Sequence, residues 1–287
     1  MFVAPTAATY ATRVPYITPG EFRAHPTGVD TKQLVPSGDP AQNDQALLQI
    51  IRRASSYADS IAEKILAATL DTQYGRYTLQ RDGSVRVPLD FSPIVAVDTV
   101  TAGLRAGSQI ALVQDEDWSL EGRILSVPTS LSAASGTKVF VTVRYINGWS
   151  NAVLTGSAFV GGTSVTVSNG LGLVPGLTLS LSGDRTSEFV VIAPSYVPST
   201  APGPVTVPLA TPLAFGYVTG DVATAIPASV KLAVIFLTAG IIKARGSGGL
   251  VMASTHANPE QEASFHDVAG TDLAMAIDAL AQYRRTI

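Results

Sequence analysis

"KLAVIFLTAGIIKARG", residues 231–246, sets eleven uncharged residues, 232–242, between Lys231 and Lys243. A membrane-spanning helix needs roughly 20 apolar residues, and Pro227, Ser229 and Lys231 stop the run from lengthening towards Ile226. An ordinary surface helix keeps one polar face, and this stretch has none, so it is expected to be buried on several sides. Pro227 near the start and Gly246 beyond Arg245 bound the predicted helix, with "GSGG" at 246–249 breaking the chain after it.

The partner for this rod lies early in the chain. In "SGDPAQNDQALLQIIRRASSYADSIAEKILAAT", Asp39 is the expected N-cap and Pro40 the first helical residue, where a missing N–H costs nothing. Leu47, Ile51, Ala54, Ala58, Ile61 and Ile65 follow at spacings of three and four, one stripe of a helix. Arg52, Arg53, Asp59 and Lys64 are expected off that stripe. Val234, Ile235, Phe236 and Ile241 of the rod are the matching packing or subunit-interface candidates. A closing amphipathic helix aligns Leu273, Ile277, Leu280 and Arg284, capped by Thr271 or Asp272, with Arg284 and Arg285 suiting its C-terminal dipole.

Between the helices the pattern changes. "RYTLQ", "SVRVPL", "IVAVDTVTAG", "GRILSVP" and "TKVFVTVRYINGW" read as strands over 76–150. In 151–225 only Asp184, Arg185, Glu188 and Asp221 are charged, and "TSVTVSN", "LTLSLSG", "SEFVVIA", "PVTVPLA" and "DVATAI" read as a small sandwich or barrel. The predicted fold class is therefore α+β: an extended arm over 1–38, a helical core from 39–150 and 226–287 with short strands, and an inserted β-module over 151–225.

Composition narrows the function. The 287 residues are 46% hydrophobic and only 14% charged, with a net charge of -3, against about 25% charged in an average globular protein. Such low charge suggests surfaces hidden by something other than water. There is no cysteine, so disulfides, thiolate metal sites and cysteine nucleophiles are out of reach. The opening residues lack the charged and apolar regions of a signal peptide, and the expectation is a protein made in the cytoplasm.

Catalytic material is sparse. His25, His256 and His266 are the histidines, and His256 and His266, with Glu260, Glu262 and Asp267, match no metal-ligand spacing. Asp115–Asp117 lacks the spacing and turn glycine of a calcium loop and reads as a solvated turn before Trp118. An enzyme reading would rest on carboxylates of 115–121 with no positioned base. No catalytic residue, cofactor or metal is expected. Arg52–Arg53 and Arg284–Arg285 make no basic stripe, so any DNA would pass without a tight or sequence-specific grip.

The order of parts resembles the head-to-tail connector (adaptor) family of long-tailed bacteriophages of the siphophage type, over about two-thirds of the chain. Tyr16, Thr18, Glu21 and Phe22 match the family's opening arm, and Asp44, Ala54 and Ser55 its first helix. Val141, Val143, Tyr145, Gly148 and Trp149 match a valine strand ending in Tyr-x-x-Gly-aromatic, and Pro227 to Arg245 an apolar helix. The segment 161–192 is similar to β-modules of actinobacterial-phage connectors, which smaller connectors lack. These are packing motifs rather than active-site motifs.

The resemblance implies a homo-oligomeric ring of about twelve copies in the neck of the virion. One face would meet the portal protein and the other a tail-completion (stopper) protein, with DNA passing through the lumen and no membrane involved. Leu273, Ile277, Leu280, Tyr283, Arg284 and Arg285 are then the portal-docking candidates. The alternative is a tail or capsid-surface protein whose β-module binds a host or particle component.

Overall fold

The computed structural model describes residues 14–128, 134–183, 186–253 and 271–284, with side chains described as far as 244 in the third segment. The described residues are mostly β: thirteen strands form four antiparallel sheets, accompanied by few helices. This corrects the expected helical core with a small β insert. The strands after the first long helix build a body with its own core, so two β bodies stand beside one helical body. Three of the strands run ten residues, and cross-strand pairing that no local window displays closes them into sheets around a core of their own.

The helical body gathers α1 (Pro19–Ala24), α2 (Pro40–Ala62), α3 (Ala228–Ala253) and α4 (271–281). Asp39 caps α2 as expected, its carboxylate accepting from the N–H groups of Ala41 and Gln42. Leu47, Ile51, Ala54, Ala58 and Ala62 join Val230, Ala233, Val234, Leu237 and Ala239 in one core. The alanines let the α2 and α3 backbones approach closely, and Leu47, Ile51, Val234 and Leu237 pack in the same core. α3 is enclosed by α2, by Ile17 and Phe22 near the N-terminus, and by Leu280 of α4. Lys231 pairs with Glu21 of α1 at 2.7 Å, and Lys243 with Asp272 of α4 at 2.8 Å. Each charge bounding the rod is thus satisfied within the same chain.

Three local expectations change here. The stretch 19–24 is not extended arm but helix, because Thr18 and Glu21 form a reciprocal capping box. α3 does not stop at Gly246; its backbone remains helical through "GSGG" to Ala253, since glycine weakens a helix by about 1 kcal/mol per residue without forbidding it. Ile65 lies beyond the end of α2 and is 37% exposed. Glu63 turns into the left-handed conformation at the C-cap and takes the following residues off the helical stripe.

The first β body spans β1 (Thr69–Thr78), β2 (Ser84–Pro88), β3 (Ile94–Gly103), β4 (Ile110–Leu112), β5 (Ser119–Glu121), β6 (Ile124–Pro128) and β7 (Lys138–Asn147). Sheets ordered β1-β7-β3-β4 and β2-β6-β5 enclose Val85, Val87, Leu125, Val127, Val139, Val141, Val143 and Tyr145. Val139, Val141 and Val143 all point inwards from β7, which pairs with β1 from Thr69↔Asn147 to Thr78↔Lys138.

The second β body spans β8 (Asn151–Val153), β9 (Ser164–Val167), β10 (Thr178–Ser182), β11 (Ser187–Val191), β12 (Val205–Pro208) and β13 (Val222–Thr224). Its sheets, β11-β10-β13-β8 and β12-β9, enclose Leu154, Val165, Val167, Leu179, Leu181, Val190, Val207 and Tyr217. The first and last strands pair, Ala152 opposite Ala223. The chain therefore enters and leaves this body at adjacent points, the geometry that lets a unit be set into a host chain. At the entrance Gly148 has φ +89°, and a Cβ there would lie 2.6 Å from the Ala67 carbonyl oxygen. Only glycine fits that approach.

Candidate functional site

The three bodies meet at a polar seam built around residues 14–21. Tyr16 is 3% exposed, and its hydroxyl donates to Asp59 Oδ1 at 2.5 Å while accepting from the Ala67 N–H at 3.1 Å. The same Asp59 oxygen accepts from the Leu66 N–H at 2.9 Å. One phenol and one carboxylate thereby tie the N-terminal segment to α2 and to the chain entering β1. The Tyr16 N–H donates to Ser55 Oγ at 3.1 Å, and that hydroxyl in turn donates to the Ile51 carbonyl at 2.9 Å. Asn151, on the first strand of the second β body, donates through Nδ2 to the Val14 carbonyl at 3.1 Å and to the Pro15 carbonyl at 3.4 Å.

A second knot lies one turn on. Glu21 closes the α1 capping box by accepting from the Thr18 N–H at 2.7 Å, and its other oxygen takes Lys231 Nζ at 2.7 Å and Ser182 Oγ at 3.3 Å. This single carboxylate joins α1, α3 and β10. At the far end of α2, Lys64 donates to the Ser92 carbonyl at 2.5 Å and lies 6.0 Å from the Trp149 ring centroid. Burial, reinforced by the Arg123 charge, lowers the Lys64 pKa.

Two cavities flank the N-terminal segment. One, of about 270 Å³, is walled by Arg52, Ser55, Ser56, Asp59, Asn151 and Asn169. The other, of about 370 Å³, shares Pro15 and Arg52 and runs between α2 and the second β body. The polar groups of the seam mostly bond one another, tying the N-terminal segment to α2, to the chain entering β1 and to the second β body. Among the described residues no three histidine, cysteine or carboxylate side chains cluster to hold a metal ion, and no helix is long and apolar enough to cross a membrane.

The interface candidates from sequence fall into two groups. Leu47, Ile51, Val234 and Ile235 are buried within the chain's own core, with Ile61, Phe236 and Ile241 packed against it. Of the portal-docking candidates, Leu280 is fully buried, Leu273 packs on the helical core, and Tyr283 stacks edge-on to Trp149 at 5.2 Å while bonding Ser229 at 2.6 Å. Those three close the chain's own core instead of offering a free face. Ile277 and Arg284 are exposed, and Arg285 lies outside the described residues, as do His256, Glu260, Glu262, His266 and Asp267.

Outward-facing apolar side chains lie instead on the β bodies. Phe159 and Phe189 are 78% and 79% exposed, accompanied on the second β body by Val160, Val197 and Val218, while Tyr74 stands out from the first. Sequence reasoning missed Asp59 as a structural group by placing it off the α2 stripe. The signal was present: Ile51, Ser55 and Asp59 recur every four residues and share a face. Asn151 and Lys231 carried no comparable local signal, because their partners lie 136 or more residues away.

No family model matches the chain, and no curated protein and no solved structure matches it either.

Proposed function

We propose that the chain is a structural protein of a long-tailed bacteriophage virion, the repeating subunit of a head-to-tail adaptor ring in the neck. About twelve copies would sit beneath the portal protein, extend its DNA channel and present the docking surface for a tail-completion protein. No catalytic step, cofactor or metal is assigned to it.

The observation that carries this reading is where the residues behind the resemblance meet. Tyr16 and Glu21 from the arm and Ser55 from α2 join through the seam, while Gly148 and Trp149, after β7, pack on the Leu66–Ala67 backbone beside it. Residues from three distant stretches thus serve one task, the fixed mounting of three bodies on one another. A ring subunit needs that rigidity, because a small angular error per copy prevents closure of a heterologous interface. Negative-stain images of the purified chain are the test: closed rings with an axial hole support the reading, and isolated particles without a hole contradict it.

One observation favours a second reading, a tail or capsid-surface protein acting through its β-module. Phe159 and Phe189 are large apolar groups left in water on that body, and exposed aromatic side chains of this kind are enriched where proteins meet. A chain that forms no ring but binds virus particles, and loses that binding on Phe159→Ser with Phe189→Ser, would support this second reading; unchanged binding would contradict it.

A further inference from the structure

The first β body has two open edges, and they differ. β1 and β4 are the outer strands of the sheet β1-β7-β3-β4, as β2 and β5 are of β2-β6-β5. A bridge between Leu79 and Val85 joins the chain of β1 to that of β2 on one side, and a bridge between Gln114 and Trp118 joins β4 to β5 on the other. β1 is ten residues long, contains no proline and pairs with β7 without a bulge. A strand paired on one side only is a template for a further strand unless something guards it. The single cation of β1, Arg76, lies inboard over the Phe140 ring at 4.5 Å, while Tyr74 is 76% exposed.

The opposite edge complements this one. Ile110 and Val113 are exposed there. Residues 110–121 hold four carboxylates, Asp115, Glu116, Asp117 and Glu121, and no cation. β1, β2 and the turn between them hold Arg76, Arg81 and Arg86 against Asp71 and Asp82, and Asp71 is already bonded to Thr69 and Asn147.

Strand direction adds a constraint. Each strand of the four runs antiparallel to its neighbour, so β4 runs opposite to β1. A second copy in the same orientation would therefore set its β4 antiparallel to the β1 of the first. Cross-strand partners place Tyr74, Thr142, Thr101 and Ala111 in one row on one face. The exposed Ala111 of the second copy then comes beside Tyr74, and its small side chain leaves room for the ring. Pairing β1 with β1 about a two-fold axis would instead set arginines against arginines and leave Ile110 and Val113 in water.

We propose that these edges are the self-association surface of the chain, β4 of one copy adding to β1 of the next, head to tail. Repetition of one such heterologous step generates a ring when the rotation closes. The inference rests on the adaptor reading and deepens it by naming the surface that joins its copies.

The chain has no cysteine, so disulfide trapping tests this in the full-length protein. Tyr74→Cys combined with Ala111→Cys should give, on oxidation, a ladder of covalent multimers beyond the dimer that a reductant collapses. Within one copy the two positions lie three strands, roughly 14 Å, apart, and a disulfide spans Cα atoms less than about 7 Å apart, so the bond must form between copies. Tyr74→Cys with Val113→Cys covers a register shifted by two residues. A mixture of the Tyr74→Cys and Ala111→Cys single variants should stop at dimers. Closed rings in images of both double variants, with no ladder from either, overturn this interface and leave the adaptor reading standing; monomers with no ladder overturn both. Dimers from Tyr74→Cys alone, in the yield of the double variants, also overturn it by showing β1 paired with β1.

Discussion

Replacing Tyr16 by phenylalanine removes one oxygen atom from the seam and leaves the ring to fill the same space. That oxygen donates to Asp59 at 2.5 Å and accepts from the Ala67 N–H at 3.1 Å. A hydrogen bond to a charged group contributes about 1.5–3 kcal/mol, and a buried N–H left unpaired costs about 1–3 kcal/mol. The two terms share an atom and do not add fully, so the expected loss is about 2–4 kcal/mol. The two tryptophans make the loss readable by body. Trp149 packs on the helical core beside Tyr283, whereas Trp118 is buried within the first β body. With Trp118→Phe as background, urea unfolding followed by Trp149 fluorescence at fixed protein concentration should shift its midpoint down by about 1–2 M at an m-value near 2 kcal/mol/M. In a Trp149→Phe background the Trp118 transition should move less, because its core lies away from the seam. A Trp149 midpoint shift below about 0.3 M would refute the claim that this phenol clamps the N-terminal segment to α2.

Ile235→Asp should cost about 3–5 kcal/mol, because its carboxylate would be buried without a partner in a position 7% exposed; loss of soluble, helical protein on circular dichroism checks it, and normal folding would place the rod's face in water. Gly148→Ala should lower the thermal midpoint well below that of Gly83→Ala. Both glycines have positive φ, but a Cβ at Gly148 lies 2.6 Å from a carbonyl oxygen while one at Gly83 meets open space; equal midpoints would contradict the packing at the entrance to the second β body. Tyr145 is fully buried, and its pKa is pushed up to about 12, chiefly by burial. A phenol whose folded pKa exceeds its unfolded value of about 10 stabilises the fold below pH 10, and that contribution is lost as pH rises towards 12. Unfolding free energies measured between pH 9 and 11 should therefore fall more steeply than those of Tyr145→Phe, and parallel curves would disprove the assignment.

How much of this was legible beforehand depended on how far each signal reached along the chain. Asp39–Pro40 announces α2 because a cap acts over three residues, and the alternating valines of β7 announce a strand because the pleat repeats every two. In the second β body β9 to β13 lie on stretches that alternate in the sequence, whereas β8, which pairs with β13, gave no such signal. The weight of the fold was misjudged: apolar helices are conspicuous in one dimension, whereas β4, β5 and β8 are three residues each and exist only through their partners. α1 was hidden although Thr18 and Glu21 have capping-box spacing, because the surrounding Pro and Gly suggested turns.

The seam was the least legible part. Tyr16 and Asp59 are 43 residues apart, and Glu21 and Lys231 are separated by 210; neither periodicity nor propensity reports such pairs. Leu280 and Tyr283 illustrate the opposite error. An amphipathic terminal helix suggests docking on a partner, but its apolar stripe is equally suited to the chain's own core, where Leu280 is fully buried.

The adaptor proposal makes this chain of three bodies one wedge of a closed ring. The mass of the purified particle in solution tests it most directly. With a chain mass of 29.8 kDa, twelve copies give 12 × 29.8, about 358 kDa. A single species near that mass, or at a neighbouring whole multiple, is the predicted result. A monomer of 29.8 kDa that persists at high protein concentration would contradict it.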